Sequence, residues 1–363
     1  MGDDLDERYM RLALRLALRG AGRTSPNPMV GAVLVRGGKI VATGYHRRVG
    51  SDHAEIVALK RAGEKASNAT LYLNLEPCSH QGKTPPCTLS LIRSGVKRVV
   101  AGMVDPNPLV SGKGFRQLRR AGIRVQVGLL EAQCRRLNEA FIKYITRRIP
   151  FVILKLAASL DGKIATAAGD SRWITGPAAR HYVHRLRNRV DAVLVGVETV
   201  VADDPRLTCR LARGRDPWRV ILDGHLRIPL KARLLSQRGA EKTIVVTGTR
   251  APMEKVKALQ GDGVQVWLFP LRKGKIPFSS ILKRLSQMGC VSVMIEGGAT
   301  TATRALAEKV VDKLLFFYAP KIIGAEGRAM IEALGVKRLG QSKKIKEMEV
   351  KRFGEDILVS GYL

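Results

Sequence analysis

The chain has 363 residues and a hydrophobic fraction of 45%, enough for two domains with ordinary cores. No apolar run reaches the ~20 residues of a membrane span, the start is too acidic for a secretory leader, and five cysteines, an odd number, argue against a secreted disulfide framework, so a reducing, cytoplasmic compartment is expected. The net charge of +32 is spread over both halves; it would attract phosphates and nucleic acid alike, and with no nucleic-acid module present small anionic ligands are the favoured reading.

Residues 3–19 place Leu5, Tyr9, Leu12, Ala13 and Leu16 at amphipathic helical spacing, with Gly20 and Gly22 as stops. Residues 31–35 and 40–43 read as a hairpin around Gly37-Gly38. Helix, strand, helix and strand are predicted from Ser51, Thr70, Thr84 and Arg98, then a helix over 112–120. Ser51-Asp52 predicts a cap that places His53 and Glu55 in a first helical turn. Thr84-Pro85 predicts a second helix start, with Cys87 in its first turn, where amide N–H groups favour a thiolate. Cys78 falls on the loop that leaves the apolar run 71–75.

These positions carry a specific chemistry. One His and two Cys (His53, Cys78, Cys87) hold zinc and leave its fourth position open for water. Glu55, two residues after the His, is placed to move the proton of that water and is not itself a ligand. The usual signature has two residues between the cysteines; here positions 79–86 intervene, so this loop must fold back to bring both sulfurs to one metal. His80 is a competing ligand. Cys134, Cys209 and Cys290 are expected to be free thiols.

A boundary is expected near Arg147-Arg148-Ile149-Pro150, dividing residues 1–147 from 148–363. Beyond it, strands are predicted at 151–157, 192–195, 219–222, 243–246 and 291–295, separated by helices near 178–189, 252–260, 280–288 and 300–307. That alternation argues an α/β sheet domain. Glu296-Gly297-Gly298-Ala299-Thr300 follows a strand and opens a helix, which suits close backbone approach to a phosphate-bearing ligand, although it is not the GxGxxG fingerprint. Asp203-Asp204-Pro205 with Arg206 and Arg210 reads either as a phosphate and ribose site or as a surface turn. Lys155, Ser159, Asp161 and Lys163 cluster at the end of the first strand without assigned roles.

Taken together, these motifs resemble a known family. In the first half the resemblance rests on Pro26-Asn27-Pro28-Met29-Val30-Gly31, Gly44-Tyr45-His46, His53-Ala54-Glu55, Leu75-Glu76-Pro77-Cys78-Ser79-His80, Gly82-Lys83-Thr84-Pro85-Pro86-Cys87 and Asp105-Pro106-Asn107-Pro108. In the second it rests on Lys155 to Gly162, Ser171-Arg172-Trp173-Ile174-Thr175, Val201-Ala202-Asp203-Asp204-Pro205 and Glu296-Gly297-Gly298. The chain resembles the bifunctional deaminase/reductase family of riboflavin biosynthesis, over nearly its whole length and including the long cysteine spacing.

The resemblance implies an α/β fold: a cytidine-deaminase-like three-layer α/β/α domain followed by a dihydrofolate-reductase-like α/β domain. It implies one Zn2+ per chain and NADPH. It also implies two reactions: hydrolytic deamination of 2,5-diamino-6-ribosylamino-4(3H)-pyrimidinone 5′-phosphate, then reduction of the ribosyl group to give 5-amino-6-(5-phosphoribitylamino)uracil. By motif, Asn27, His46, Lys83 and Asn107 line the deaminase pocket. Ala157, Trp173, Thr199, Asp203, Gly298, Ala299 and Thr300 contact cofactor. Ser171, Arg187, Leu207, Arg210 and Glu296 contact substrate, and Arg187 and Arg210 suit a phosphate. Phosphorylated pyrimidines are the expected partners, neither nucleic acid nor membrane is, and like chains are expected to associate.

Overall fold

The computed structural model describes residues 2–79, 86–108, 110–235 and 239–363. The chain divides into two compact units, Met1–Arg148 and Ile149–Leu363. Among the described residues no helix is long and apolar enough to cross a membrane.

In the first unit α1 (Gly2–Ala17) precedes the hairpin β1 (Gly31–Arg36) and β2 (Lys39–Tyr45). Gly37 and Gly38, at φ 56° and 73°, make the turn, a conformation that L side chains rarely adopt. There follow α2 (Ala54–Ala62), β3 (Thr70–Leu73), α3 (Cys87–Arg93), β4 (Arg98–Ala101), α4 (Lys113–Arg120), β5 (Arg124–Val127), α5 (Glu131–Leu137) and α6 (Glu139–Arg147). The sheet order is β2-β1-β3-β4-β5, with β1 antiparallel to both neighbours and β3, β4 and β5 parallel.

Successive side chains of a strand point to opposite faces, and β1 shows the result. Ala32 and Leu34 pack with Ala54, Ala58 and Ala62 of α2, Leu91 of α3 and Leu118 of α4. Val33 and Val35 pack with Tyr9, Met10 and Ala13 of α1. Helices thus cover both faces, in three layers. The face α1 buries differs from the expectation: Leu5 is exposed and Asp6 is buried. Asp6 accepts the Tyr72 hydroxyl at 2.5 Å and pairs with Arg98, so a satisfied carboxylate takes a core position that hydropathy alone gave to its neighbour.

The second unit is built on a nine-stranded sheet. Its elements are β6 (Phe151–Ser159), β7 (Lys163–Ala165), α7 (Pro177–Arg189), β8 (Ala192–Gly196), α8 (Val197–Asp203), β9 (Trp218–Leu222), β10 (Thr243–Gly248), α9 (Met253–Gly261), β11 (Gln265–Phe269), α10 (Phe278–Gln287), β12 (Ser292–Ile295), α11 (Ala299–Ala307), β13 (Lys313–Ala319), β14 (Arg328–Ala329), β15 (Lys346–Phe353) and β16 (Asp356–Tyr362). The order is β11-β10-β9-β8-β12-β6-β13-β16-β15. The central strands are parallel, and β16 joins β13 antiparallel. Ala192 and Leu194 of β8 face α10 and α11, while Val193 and Val195 face α7 and α9. Strands buried on both faces read as continuous apolar runs, which is why β6, β8, β9, β10 and β12 were legible.

Candidate functional site

The first candidate centre forms where β2, α2 and the chain after β3 meet. His53 is the N-cap of α2, and no side chain caps this helix. The expected Ser51-Asp52 cap is therefore corrected by one position. Ser51 bonds back to the Arg48 carbonyl at 2.7 Å, and Asp52 accepts Lys60 at 2.7 Å. Because His53 is only half inside the helix, its ring is free to turn toward the cysteines, while Glu55 stays in the first turn. Cys87 opens α3 after Pro86 at the N-cap; the expected start at Thr84-Pro85 lies outside the described residues, as do His80 and Lys83.

Ligand atoms of His53, Cys78 and Cys87 all lie within 4.8 Å of one another. His53 Nδ1 is 3.2 Å from Cys87 Sγ and 3.7 Å from Cys78 Sγ, so Nδ1 is the nitrogen that faces a metal. The Cys87 backbone N–H donates to Cys78 Sγ at 3.3 Å. The Cys87 thiol beside it, and then His53, hold the Cys78 thiol far below its ordinary range; hydrogen bonding to Cys78 in turn raises His53 to about 9. Glu55 is buried, and burial pushes its carboxyl up. Its Oε2 has no hydrogen-bond partner. A soft, three-donor set beside an orphaned buried carboxylate oxygen fits zinc with an open position.

Two of the residues expected to line the deaminase pocket, His46 and Asn27, adjoin this cluster. The His46 ring lies edge-on to His53, centroids 5.4 Å apart. His46 Nδ1 donates to the Asp52 carbonyl at 3.1 Å, and Nε2 accepts from Asn27 Nδ2 at 3.2 Å; burial lowers the His46 pKa, which favours this neutral form. The loop that carries Asn27 is pinned through Met29, whose N–H and carbonyl are taken by Asn138 at 2.8 and 3.0 Å. Asn107 follows Asp105, whose carboxylate accepts the Asn107 N–H at 2.8 Å.

The second candidate centre is a cavity of 830 Å³ in the second unit. All twelve residues expected to contact cofactor or substrate line it: Ala157, Ser171, Trp173, Arg187, Thr199, Asp203, Leu207, Arg210, Glu296, Gly298, Ala299 and Thr300. They come from β6, the segment between β7 and α7, α7 itself, α8, the turn after it and the β12–α11 turn, so parallel strands and the loops at their ends bring them to one end of the sheet. Gly298 caps α11 at φ 38° and ψ 140°.

Arg187 differs from its expected use. Its Nε and one Nη atom grip both Glu296 oxygens, at 2.7 and 2.9 Å, and the other Nη donates to the Thr208 carbonyl at 3.1 Å. It is chiefly the partner of a buried acid, which leaves Arg210 as the freer cation for a phosphate. The ambiguous turn also separates: Asp203 takes the Ser171 hydroxyl at 3.3 Å on the cavity side, while Asp204 pairs with Arg233 away from the cavity lining.

The cluster at the end of β6 divides as well. Lys155 lines the cavity, and burial lowers its pKa. Ser159, Asp161 and the Lys163 backbone form a separate knot that caps residues 323–324. Sequence reasoning gave no role to His184, whose Nδ1 accepts the Arg210 N–H at 3.3 Å. Burial, then Arg187 and Arg210, lower His184 to about 4, so it is neutral near pH 7. Nothing in its spacing marks it; only the fold brings α7 and the 207–210 turn together.

Comparison with known proteins accords with both centres. Residues 3–103 match the cytidine and deoxycytidylate deaminase zinc-binding region, and residues 150–359 match the RibD C-terminal domain. The chain is 48% identical over 357 residues to the riboflavin biosynthesis protein RibD of Aquifex aeolicus, covering 98% of each chain. It superposes on a RibD structure from Acinetobacter baumannii with a TM-score of 0.89 at 38% identity, covering 99% of both chains. A diaminohydroxyphosphoribosylaminopyrimidine deaminase/5-amino-6-(5-phosphoribosylamino)uracil reductase from Thermotoga maritima gives 0.88 at 40% identity, covering 100% of this chain and 99% of that one.

Proposed function

The chain belongs to the RibD family, the bifunctional deaminase and reductase of riboflavin biosynthesis, and we propose how its two centres divide that work. Residues 1–147 carry the deaminase and residues 148–363 the reductase. The substrate of the first is 2,5-diamino-6-ribosylamino-4(3H)-pyrimidinone 5′-phosphate, and the final product is 5-amino-6-(5-phosphoribitylamino)uracil. The observation that carries the first half is the three-donor cluster beside an unsatisfied Glu55.

His53, Cys78 and Cys87 hold the metal. Zinc, when bound there, supplies the Lewis acidity that makes water a nucleophile near neutral pH. Glu55 Oε2 takes the proton of the attacking water and delivers it to the departing ammonia. Its burial, which raises the carboxyl pKa, makes it a better proton acceptor than an exposed glutamate. Asn27 and His46 orient the pyrimidine: with His46 neutral and its Nε2 occupied by Asn27, the Asn27 amide has a defined direction in which to present its oxygen. Lys83, outside the described residues, and Asn107 are assigned to bind the same substrate.

In the second cavity NADPH supplies hydride. Ala157, Trp173, Thr199, Asp203 and the turn 298–300 hold it, and Ser171, Leu207, Arg210 and the Arg187–Glu296 pair receive the ribosyl phosphate. Lys155, inside the same cavity with its charge disfavoured by burial, is suited to donate a proton to the ring oxygen that hydride delivery frees. The exposed Arg210 offers its guanidinium to the phosphate.

The test is a paired assay on zinc-loaded, full-length protein given the diaminopyrimidinone ribosyl phosphate. Ammonia release followed by NADPH oxidation is expected. Ammonia without NADPH oxidation would refute the second assignment, and neither signal would refute both. The cofactor turn has its own test. A Cβ at Gly298 would lie 3.3 Å from Thr199 Oγ1 in a backbone conformation that disfavours a side chain. Gly298→Val is expected to raise the KM for NADPH about tenfold or more, a cost of about 1.4 kcal/mol. An unchanged KM would mean that this turn does not hold the cofactor.

A further inference from the structure

β3 leaves the sheet through Leu75-Glu76-Pro77-Cys78, so a single acidic residue lies between the core and a metal ligand. Glu76 is 3% exposed, and its carboxylate is occupied by backbone. Oε2 accepts the N–H groups of Asp105 at 3.1 Å and Gly112 at 2.9 Å. Oε1 accepts those of Gly114 at 2.9 Å and Phe115 at 3.3 Å. Three of these donors belong to the N-cap and first turn of α4, whose N–H groups have no partner within the helix. The fourth opens the Asp105-Pro106-Asn107-Pro108 segment. The contact is close: a Cβ at Gly114 would lie 2.3 Å from the Pro77 carbonyl oxygen.

We propose that Glu76 is a positioning residue of the deaminase, tying the segment that carries Asn107 to the chain that carries Cys78. This rests on the reading of the cluster as the deaminase centre and of Asn107 as a pocket residue. The physical reason is the acceptor inventory. Four N–H groups, those of Gly114 and Phe115 buried and those of Asp105 and Gly112 partly so, converge on one side chain, and only a carboxylate has four acceptor positions and no donor. Charge-assisted bonds of this kind hold a loop more firmly than neutral ones. A glutamine of equal volume would turn an NH2 group toward two of the four N–H donors, and those donors would lose their partner inside the protein.

The choice of variant follows. If Glu76 merely filled space, Glu76→Gln would be silent. If it positions the segment, the variant must release it. Full-length, zinc-loaded Glu76→Gln is expected to exchange the Gly112, Gly114 and Phe115 amides at least about tenfold faster than the parent, measured by hydrogen–deuterium exchange. The deaminase KM should rise about tenfold, while the reductase KM, read on the same chain, stays unchanged. Asn107→Ala is run beside it. A raised KM in Asn107→Ala with unchanged exchange or unchanged deaminase KM in Glu76→Gln would overturn the proposal. Silence of KM in both variants, with faster exchange in Glu76→Gln, would instead overturn the pocket reading of Asn107 and with it any positioning role. Should Glu76→Gln fail to fold, Gly114→Ala prises the same junction apart from the other side and must give the same paired rise.

Discussion

Glu55→Gln is expected to slow ammonia release by ~10^3-fold or more while zinc remains bound and the reductase continues to turn over. The substitution preserves volume in a site where Glu55 is 3% exposed, so packing is not the variable. It removes the group that can both take and return a proton. The Oε2 atom has no hydrogen-bond partner, so an amide group at that position breaks no existing bond. The three donors of the metal cluster, His53, Cys78 and Cys87, are untouched. Three measurements separate the outcomes: ammonia by a coupled assay, zinc content by atomic absorption, and NADPH oxidation with the deaminated intermediate supplied. Retained ammonia release would refute the role of Glu55; loss of zinc would show that Glu55 helps hold the metal instead.

Arg187→Met is expected to destabilise the second unit by about 3–5 kcal/mol, because it leaves the Glu296 carboxylate buried without its partner. The side chains of the pair are 12% and 5% exposed, so solvent screens them little. For a unit of this size the unfolding midpoint should fall by roughly 6–20 °C. Replacing both partners, Arg187→Met with Glu296→Leu, should restore most of that loss without restoring reductase activity, since a buried pair exchanged for apolar side chains is often neutral in stability. A single variant as stable as the parent would mean that water reaches Glu296 freely.

The same pair sets a pH dependence. Burial alone would raise the Glu296 carboxyl, but Arg187, aided by Lys155, outweighs it and the net direction is down. A group whose folded pKa is depressed contributes stability above its unfolded value and loses it as pH falls through the folded one. The parent should therefore lose stability on acidification below about pH 4.5, and the double variant should lose less over the same range.

The sites were legible to different depths, for physical reasons. Zinc chemistry restricts its ligands to a few residue types, so His53, Cys78, Cys87 and the proposed proton carrier Glu55 stood out from composition and order. The reductase residues did not. Trp173, Leu207 and Thr199 are ordinary residues whose spacing carries no chemistry, and only resemblance singled them out. Arg187 was legible as a cation but not as half of a pair, because Glu296 is more than a hundred positions away. His184 gave no signal, and Glu76 entered only as a member of the Leu75 to His80 motif, since His184 accepts one backbone N–H and Glu76 four from segments distant along the chain.

The fold shows the same division. Runs of valine, leucine and isoleucine marked the central strands β6, β8, β9, β10 and β12. The edge strands β5, β11 and β15 were missed, and so were β13 and β16 inside the sheet, although β13 is an apolar, buried run. In β15, Lys346–Phe353 is largely exposed and rich in charge, and it is a strand because β16 offers it a ladder. Near α2, capping preferences pointed to Ser51-Asp52, whereas the contacts of the loop put His53 at the cap, the position from which its ring can reach both cysteines.

By itself, then, the sequence determined the chemical inventory, the two-unit division near residue 148 and the continuous apolar runs that must be buried, because these depend on residue type and local order. Tertiary structure alone decided which of two neighbouring residues turns inward, as with Leu5 and Asp6. It also decided that Arg187 is bound to Glu296 while Arg210 stays exposed. Those outcomes depend on partners that lie far apart along the chain, and the free energy of a buried polar group is set by the partner it meets rather than by its own identity.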